Sequence, residues 1–141
     1  MTLESTISTH TAFVYMMVLV SASDSEMTDN ELKSMGSIVR SLPIFADYDP
    51  DRLVDDAETC AEILDADGGL EAVLGLIEEA IPDSHHDTAY AVACEIAIAD
   101  GHLTQEELRV LEILRHGLDI DRLIAAAIER GIVARNRALS E

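Results

Sequence analysis

Two stretches of this chain set carboxylates where hard-cation chemistry would be done. Residues 97–108 read Ala-Ile-Ala-Asp-Gly-His-Leu-Thr-Gln-Glu-Glu-Leu, and residues 21–32, 76 positions earlier, read Ser-Ala-Ser-Asp-Ser-Glu-Met-Thr-Asp-Asn-Glu-Leu. Asp24, Met27, Thr28, Glu31 and Leu32 stand in the same register as Asp100, Leu103, Thr104, Glu107 and Leu108. An Asp with a Glu seven residues later supplies two oxygen ligands, and turn carbonyls add more. Two carboxylates suit a weak Mg²⁺, Ca²⁺ or Mn²⁺ site rather than a closed cage.

The members of each pair have different physical accounts. Glu31 and Glu107 complete Thr-x-x-Glu capping boxes with Thr28 and Thr104, and a carboxylate is also favoured beside the positive start of a helix. Helix capping alone explains them. Asp24 and Asp100 instead follow long apolar segments, where the last helical carbonyls disfavour a carboxylate by a few tenths to about 1 kcal/mol. An Asx-type bond to a turn N–H, or a bound cation, would compensate. The metal reading therefore rests mainly on Asp24 and Asp100. Glu26, next to the first turn, and Glu95, a lone acid in an apolar helix, are secondary ligand candidates. Glu95 must be paired, metal-bound, protonated or turned to an edge.

Other constellations carry less. Asp47, Asp49, Asp51, Asp55 and Glu58 fall at positions 1, 3, 5, 9 and 12 of a calcium loop. Arg52 stands where that loop needs Gly, and Asp49-Pro50 reads as an N-cap followed by a first-turn proline. His85-His86 opens a helix between Asp83 and Asp87, and Glu112 and His116 share a helical face. Neither forms the Glu-x-x-His pairs of a di-iron bundle. There is no nucleophile elbow, phosphate-cradling glycine loop or Cys/His catalytic pair, so the chain is not expected to be an enzyme.

The elements that must position these residues are helices. Hydrophobic residues make up 48%, with two Phe, three Tyr and no Trp, a composition that favours an all-α fold. Residues 1–11 lack periodicity and include a frayed start. Residues 12–22 are apolar on every side, which predicts a central helix. A second helix, capped by Thr28, carries Leu32, Met35, Ile38, Val39 and Leu42 and stops at Pro43. A loop at 45–51 precedes a third helix at 50–64, which Asp67-Gly68-Gly69 breaks. A fourth spans 70–81 and a fifth 85–99, the latter again apolar except for Glu95. The sixth, 104–116, repeats the capping box with a stripe of Leu108, Leu111, Leu114 and Leu118, and Gly117 fits its C-cap. A seventh, from about residue 120, carries Leu123, Ile124, Ala127 and Ile128. The expectation is one domain over 1–141, a bundle of about seven helices built on two pseudo-symmetric helix-turn-helix units. Those units would bring the two apolar helices together.

Charge narrows the partners. The formal net charge is −19, with 23 acids against 3 bases in residues 1–108 and 5 against 6 in 109–141. Such a body repels nucleic acid and anionic lipid, and attracts cations or basic partners. Arg130, Arg135 and Arg137 either dock on an acidic surface or balance a helix C-terminus. Cys60 and Cys94 lie singly in apolar patterns, as core residues of a reducing compartment do. With no membrane-length apolar run and no signal-peptide pattern, a cytoplasmic location is expected.

The segment from Ala93 to Leu108, Ala-Cys-Glu-Ile-Ala-Ile-Ala-Asp-Gly-His-Leu-Thr-Gln-Glu-Glu-Leu, resembles the signature of TerB-like proteins. These comprise the tellurite-resistance TerB proteins and the TerB-like domain of DjlA co-chaperones. The degenerate first copy and the helical order extend the resemblance over nearly the whole chain. It implies about seven helices, an acidic surface proposed to bind divalent metal, and a link to the stress-response system of tellurite resistance. Asp24, Glu31, Asp100 and Glu107 match its acidic pattern, while Ser25 replaces the glycine at Gly101 and Glu26 stands opposite His102. No His-Pro-Asp motif is present, so a co-chaperone role does not transfer.

Together these observations point to a TerB-like stress-response protein that binds a divalent cation weakly through its acidic turns. It would act through other proteins, among them components of a tellurite-resistance system. The alternatives are a metal-free interaction scaffold and, more remotely, an EF-hand-like calcium site at 47–58.

Overall fold

Thr9–Ser21 forms the first helix, α1, and its lack of a polar face places it inside the bundle: every residue from Thr11 to Ser21 is buried. The computed structural model describes residues 7–21, 28–98 and 103–139. After α1 come α2 (Asp29–Ser41), α3 (Leu53–Asp65), α4 (Gly69–Ala80), α5 (His86–Ile98), α6 (Gln105–Gly117) and α7 (Arg122–Arg135). Short 3-10 turns lie at Pro43–Phe45, Pro50–Arg52 and Asp83–His85. No strand occurs among the described residues, and the fold is all-α.

α1 packs against α2, α3, α4, α5 and α6, which makes it the axis of the structure. Each of its large side chains, from Phe13 to Val20, contributes on the order of 1.5–3 kcal/mol by leaving water. α5 is the second internal helix, with Ala89, Tyr90, Val92, Ala93, Cys94, Ile96 and Ala97 buried, and it rests directly on α1. α6 and α7 both lean on α5. Buried apolar residues from all seven helices join in one cluster. No helix of the described residues is long and apolar enough to cross a membrane.

Four local expectations need correction. α1 begins at Thr9, not near residue 12, because His10 is fastened: its Nε2 donates to the Ile44 carbonyl at 2.9 Å, and its ring lies beside Phe45 and Tyr48. The loop over 45–51 is consequently partly internal, with Phe45 and Tyr48 buried and Phe13 edge-on to Phe45. α6 ends without a left-handed glycine; the chain turns instead at Asp119, with φ 54°. α7 starts after Asp121, whose carboxylate accepts from the N–H groups of Leu123 and Ile124. Its inward face is Ala125, Ile128 and Ile132, leaving Leu123 and Ile124 exposed.

Candidate cation-binding turns and the groove beside them

Both Thr-x-x-Glu sequences form complete capping boxes. At α2, Thr28 N donates to Glu31 Oε1 at 2.7 Å and Glu31 N donates to Thr28 Oγ1 at 3.2 Å. At α6 the reciprocal bonds between Thr104 and Glu107 measure 2.9 and 3.0 Å. The repeated register of the sequence is thus a repeated local structure. Glu107 is only 9% exposed, whereas Glu31 is half-buried. Asp24, Glu26 and Asp100 lie outside the described residues.

The capping bond uses Oε1 of each glutamate, so either turn would complete a cation's shell from its aspartate and from carbonyl oxygens. The donor chemistry is of the right hardness for Ca²⁺, Mg²⁺ or Mn²⁺. Among the described residues, no group of three or more His, Cys, Asp or Glu side chains is arranged to hold a metal. At the end of α1, just before the first turn, Ser21 Oγ is buried without a hydrogen-bond partner.

Glu95 is turned to the edge of α5 and paired. Arg135 donates to its Oε1 at 3.3 Å and Asn136 Nδ2 to its Oε2 at 3.2 Å. Arg135 therefore docks on the protein's own body and fixes the end of α7. Residues 47–58 follow the helix-start reading: Asp49 accepts from the Asp51 N–H, Pro50–Arg52 is a 3-10 turn, and Asp55 and Glu58 already belong to α3. Asp56, which falls at no ligand position of that loop pattern, takes the Tyr48 hydroxyl at 2.6 Å and lies 3.8 Å from Arg52. His86 does structural work, its ring nitrogens facing the carbonyls of Leu118 at 2.8 Å and Ile81 at 2.9 Å.

One feature escaped the periodicity of the sequence. Residues of α5, α6 and α7 line an apolar groove of about 360 Å³. Its floor is Tyr90, Cys94 and Ile98, and Leu103, Leu108 and Val133 line its walls. Leu108, expected within the buried stripe of α6, is 44% exposed here. A helical wheel marks Leu108 as apolar but does not show that it is left half exposed at a groove. Tyr90 donates from its hydroxyl to Glu129 Oε2 at 2.5 Å across the groove. Burial, then that carboxylate, hold the Tyr90 hydroxyl above the usual tyrosine range. Burial likewise pushes the Cys94 thiol up to about 12, with the charge of Glu129 adding to it.

The family model described as "Tellurite resistance protein TerB" matches this chain over residues 10–129. That span runs from the second residue of α1 into α7 and contains both capped turns and most of the groove's lining. No curated protein and no solved structure gives a significant match.

Proposed function

This chain belongs to the TerB family, and from that premise we propose that it is a tellurite-resistance-type stress protein that binds a divalent cation weakly at its acidic turns. We take it to act by binding, with other proteins as its partners, and not by catalysis. What supports this reading is the family match over residues 10–129; the two capping boxes, which form with or without a metal, hold Glu31 and Glu107 in matching positions at the ends of the two turns. With Glu31 in one turn and Glu107 in the other, Asp24 and Asp100 supply the second carboxylate of each. A cation there neutralises local repulsion in a chain of net charge −19 and changes what the acidic surface presents to a partner.

Calorimetric titration of chelator-treated protein with Ca²⁺, Mg²⁺ and Mn²⁺ tests the proposal. Binding heat and a raised melting temperature are expected, with about half the stoichiometry lost in Asp100→Asn and the rest in Asp24→Asn. Absence of heat with every ion up to millimolar concentration would sink the cation-binding part.

A metal-free scaffold is the second reading, favoured by the fact that capping accounts for Glu31 and Glu107 and that Arg135 accounts for Glu95. The two separate cleanly. Partner binding that persists unchanged in chelator and in Asp24→Asn/Asp100→Asn supports the scaffold.

A further inference from the structure

Residues 103–139 carry six acidic and six basic side chains, although the whole chain stands at −19. The excess negative charge therefore belongs to the rest of the chain, and the stretch that builds α6 and α7 is balanced in sequence. Of the six large apolar side chains exposed in that stretch, Leu103, Leu108 and Val133 are 42%, 44% and 41% exposed. All three line the groove above α5. On the outer flank of α6 a second hollow, of about 390 Å³, is lined by Gln105, Glu106, Leu108, Arg109 and Glu112. Leu108 and Glu112 line both hollows, so α6 stands as a ridge between them.

A ridge beside a hollow is a self-complementary shape. A twofold axis sets the ridge of each copy into the hollow of the other, the way helix ridges fill helix grooves. Charge selects the same occupant. A basic partner is drawn to the carboxylate-rich remainder, and an acidic partner is repelled by it. A second copy brings a nearly balanced face to its like, each lined by Arg109, Glu112 and Arg115. An apolar centre with a mixed charged rim is also the usual anatomy of an interface.

We propose that two copies of this chain pair through α6, each α6 seated in the groove between α6 and α7 of the other. The inference is independent of cation binding. The two acidic bodies still repel one another across the pair, and salt screens that repulsion over roughly 8 Å at physiological ionic strength. Pairing therefore tightens as salt is added, the opposite of what a charge-driven contact with a basic protein shows.

Sedimentation equilibrium of the full chain, from micromolar to millimolar protein at low and high sodium chloride, is the test. The weight-average mass should climb toward twice the 15.3 kDa of one chain, and climb at lower protein concentration in high salt. Leu108→Glu and Val133→Glu should hold the mass at one chain, with circular dichroism showing the helices intact. Leu103→Ser, a milder change at the rim, should weaken pairing without threatening the fold. Val54→Glu and Leu70→Glu, at side chains exposed elsewhere on the surface, should pair as the wild type does. A wild-type mass of one chain under every condition overturns the proposal. So does a pair that survives all three groove variants, or one that Val54→Glu and Leu70→Glu disrupt equally.

Discussion

Among the described glycines, Gly69 has the least room for a side chain. A Cβ there would lie 2.1 Å from the Ile63 carbonyl oxygen and 2.8 Å from Leu64 Cα, and main-chain atoms cannot swing aside as a side-chain tip can. Gly68, with φ 72°, turns the chain into that approach and caps α4. Gly69→Ala should therefore lower stability by about 2–3 kcal/mol or more, the range of an overpacked core. Gly75→Ala and Gly131→Ala, where an added Cβ meets nothing within 4 Å, should raise it by up to about 1 kcal/mol through helix propensity. Urea unfolding of the three variants checks the contrast, and a Gly69→Ala curve superimposed on wild type would contradict it. Ser21 is the reverse case, a buried hydroxyl with no partner. Ser21→Ala should stabilise the protein by about 1 kcal/mol, since the orphaned group loses its water without gaining a bond. Thermal melts measure this directly. If the gain vanishes when Ca²⁺ is saturating, the hydroxyl belongs to the cation's surroundings in the first turn.

At the level of elements, the two capping boxes have the same bonds but different settings. Thr28→Ala should cost about 1 kcal/mol. Thr104→Ala should cost more, because Glu107 is only 9% exposed and loses the geometry that holds its carboxylate at the helix start. Parallel urea titrations rank the two, and equal losses would mean that the burial of Glu107 contributes nothing. These boxes were legible in the sequence because capping depends on four consecutive residues. α1 and α5 were legible as internal helices because apolarity on all sides leaves no alternative. What stayed hidden depends on distance in space. His10, set in an unpatterned terminus, gains its role only when α1 meets Ile44 and Phe45. Leu123 and Ile124 carry the apolar pattern of an inward face, yet the register set by the Asp121 cap and the Glu95–Arg135 pair turns Ala125, Ile128 and Ile132 inward instead. Glu129 carries no signal in its own helix, and its partner Tyr90 lies 39 residues away. Of the candidate site, the glutamates were readable as caps. For Glu95, pairing was readable as one of four possibilities, but not as a contact with Arg135.

At the scale of the whole molecule, one apolar cluster joins all seven helices, and two buried thiols in it make its integrity measurable at alkaline pH. Cys60 and Cys94 lie on α3 and α5, and burial pushes each thiol from the usual 9.0 up to about 12. Tyr48 and Tyr90 are also raised, first by burial and then by bonds to the Asp56 and Glu129 carboxylates. For an acid whose folded pKa lies above its unfolded one, the native state keeps protons that the unfolded chain releases. Unfolding then releases protons, and the free energy of unfolding falls as pH rises through that interval. Below the unfolded value of 9.0 the thiol contribution is complete; it is lost progressively as pH rises toward about 12. Stability measured by urea unfolding from about pH 8 to about pH 10.5 should therefore decline with a definite slope. In Cys60→Ala/Cys94→Ala the curve should start lower, because two side chains have been truncated, but decline less steeply. The tyrosines keep some slope in that variant, so the difference between the curves isolates the thiols. Parallel curves would show that neither thiol changes its proton affinity on folding.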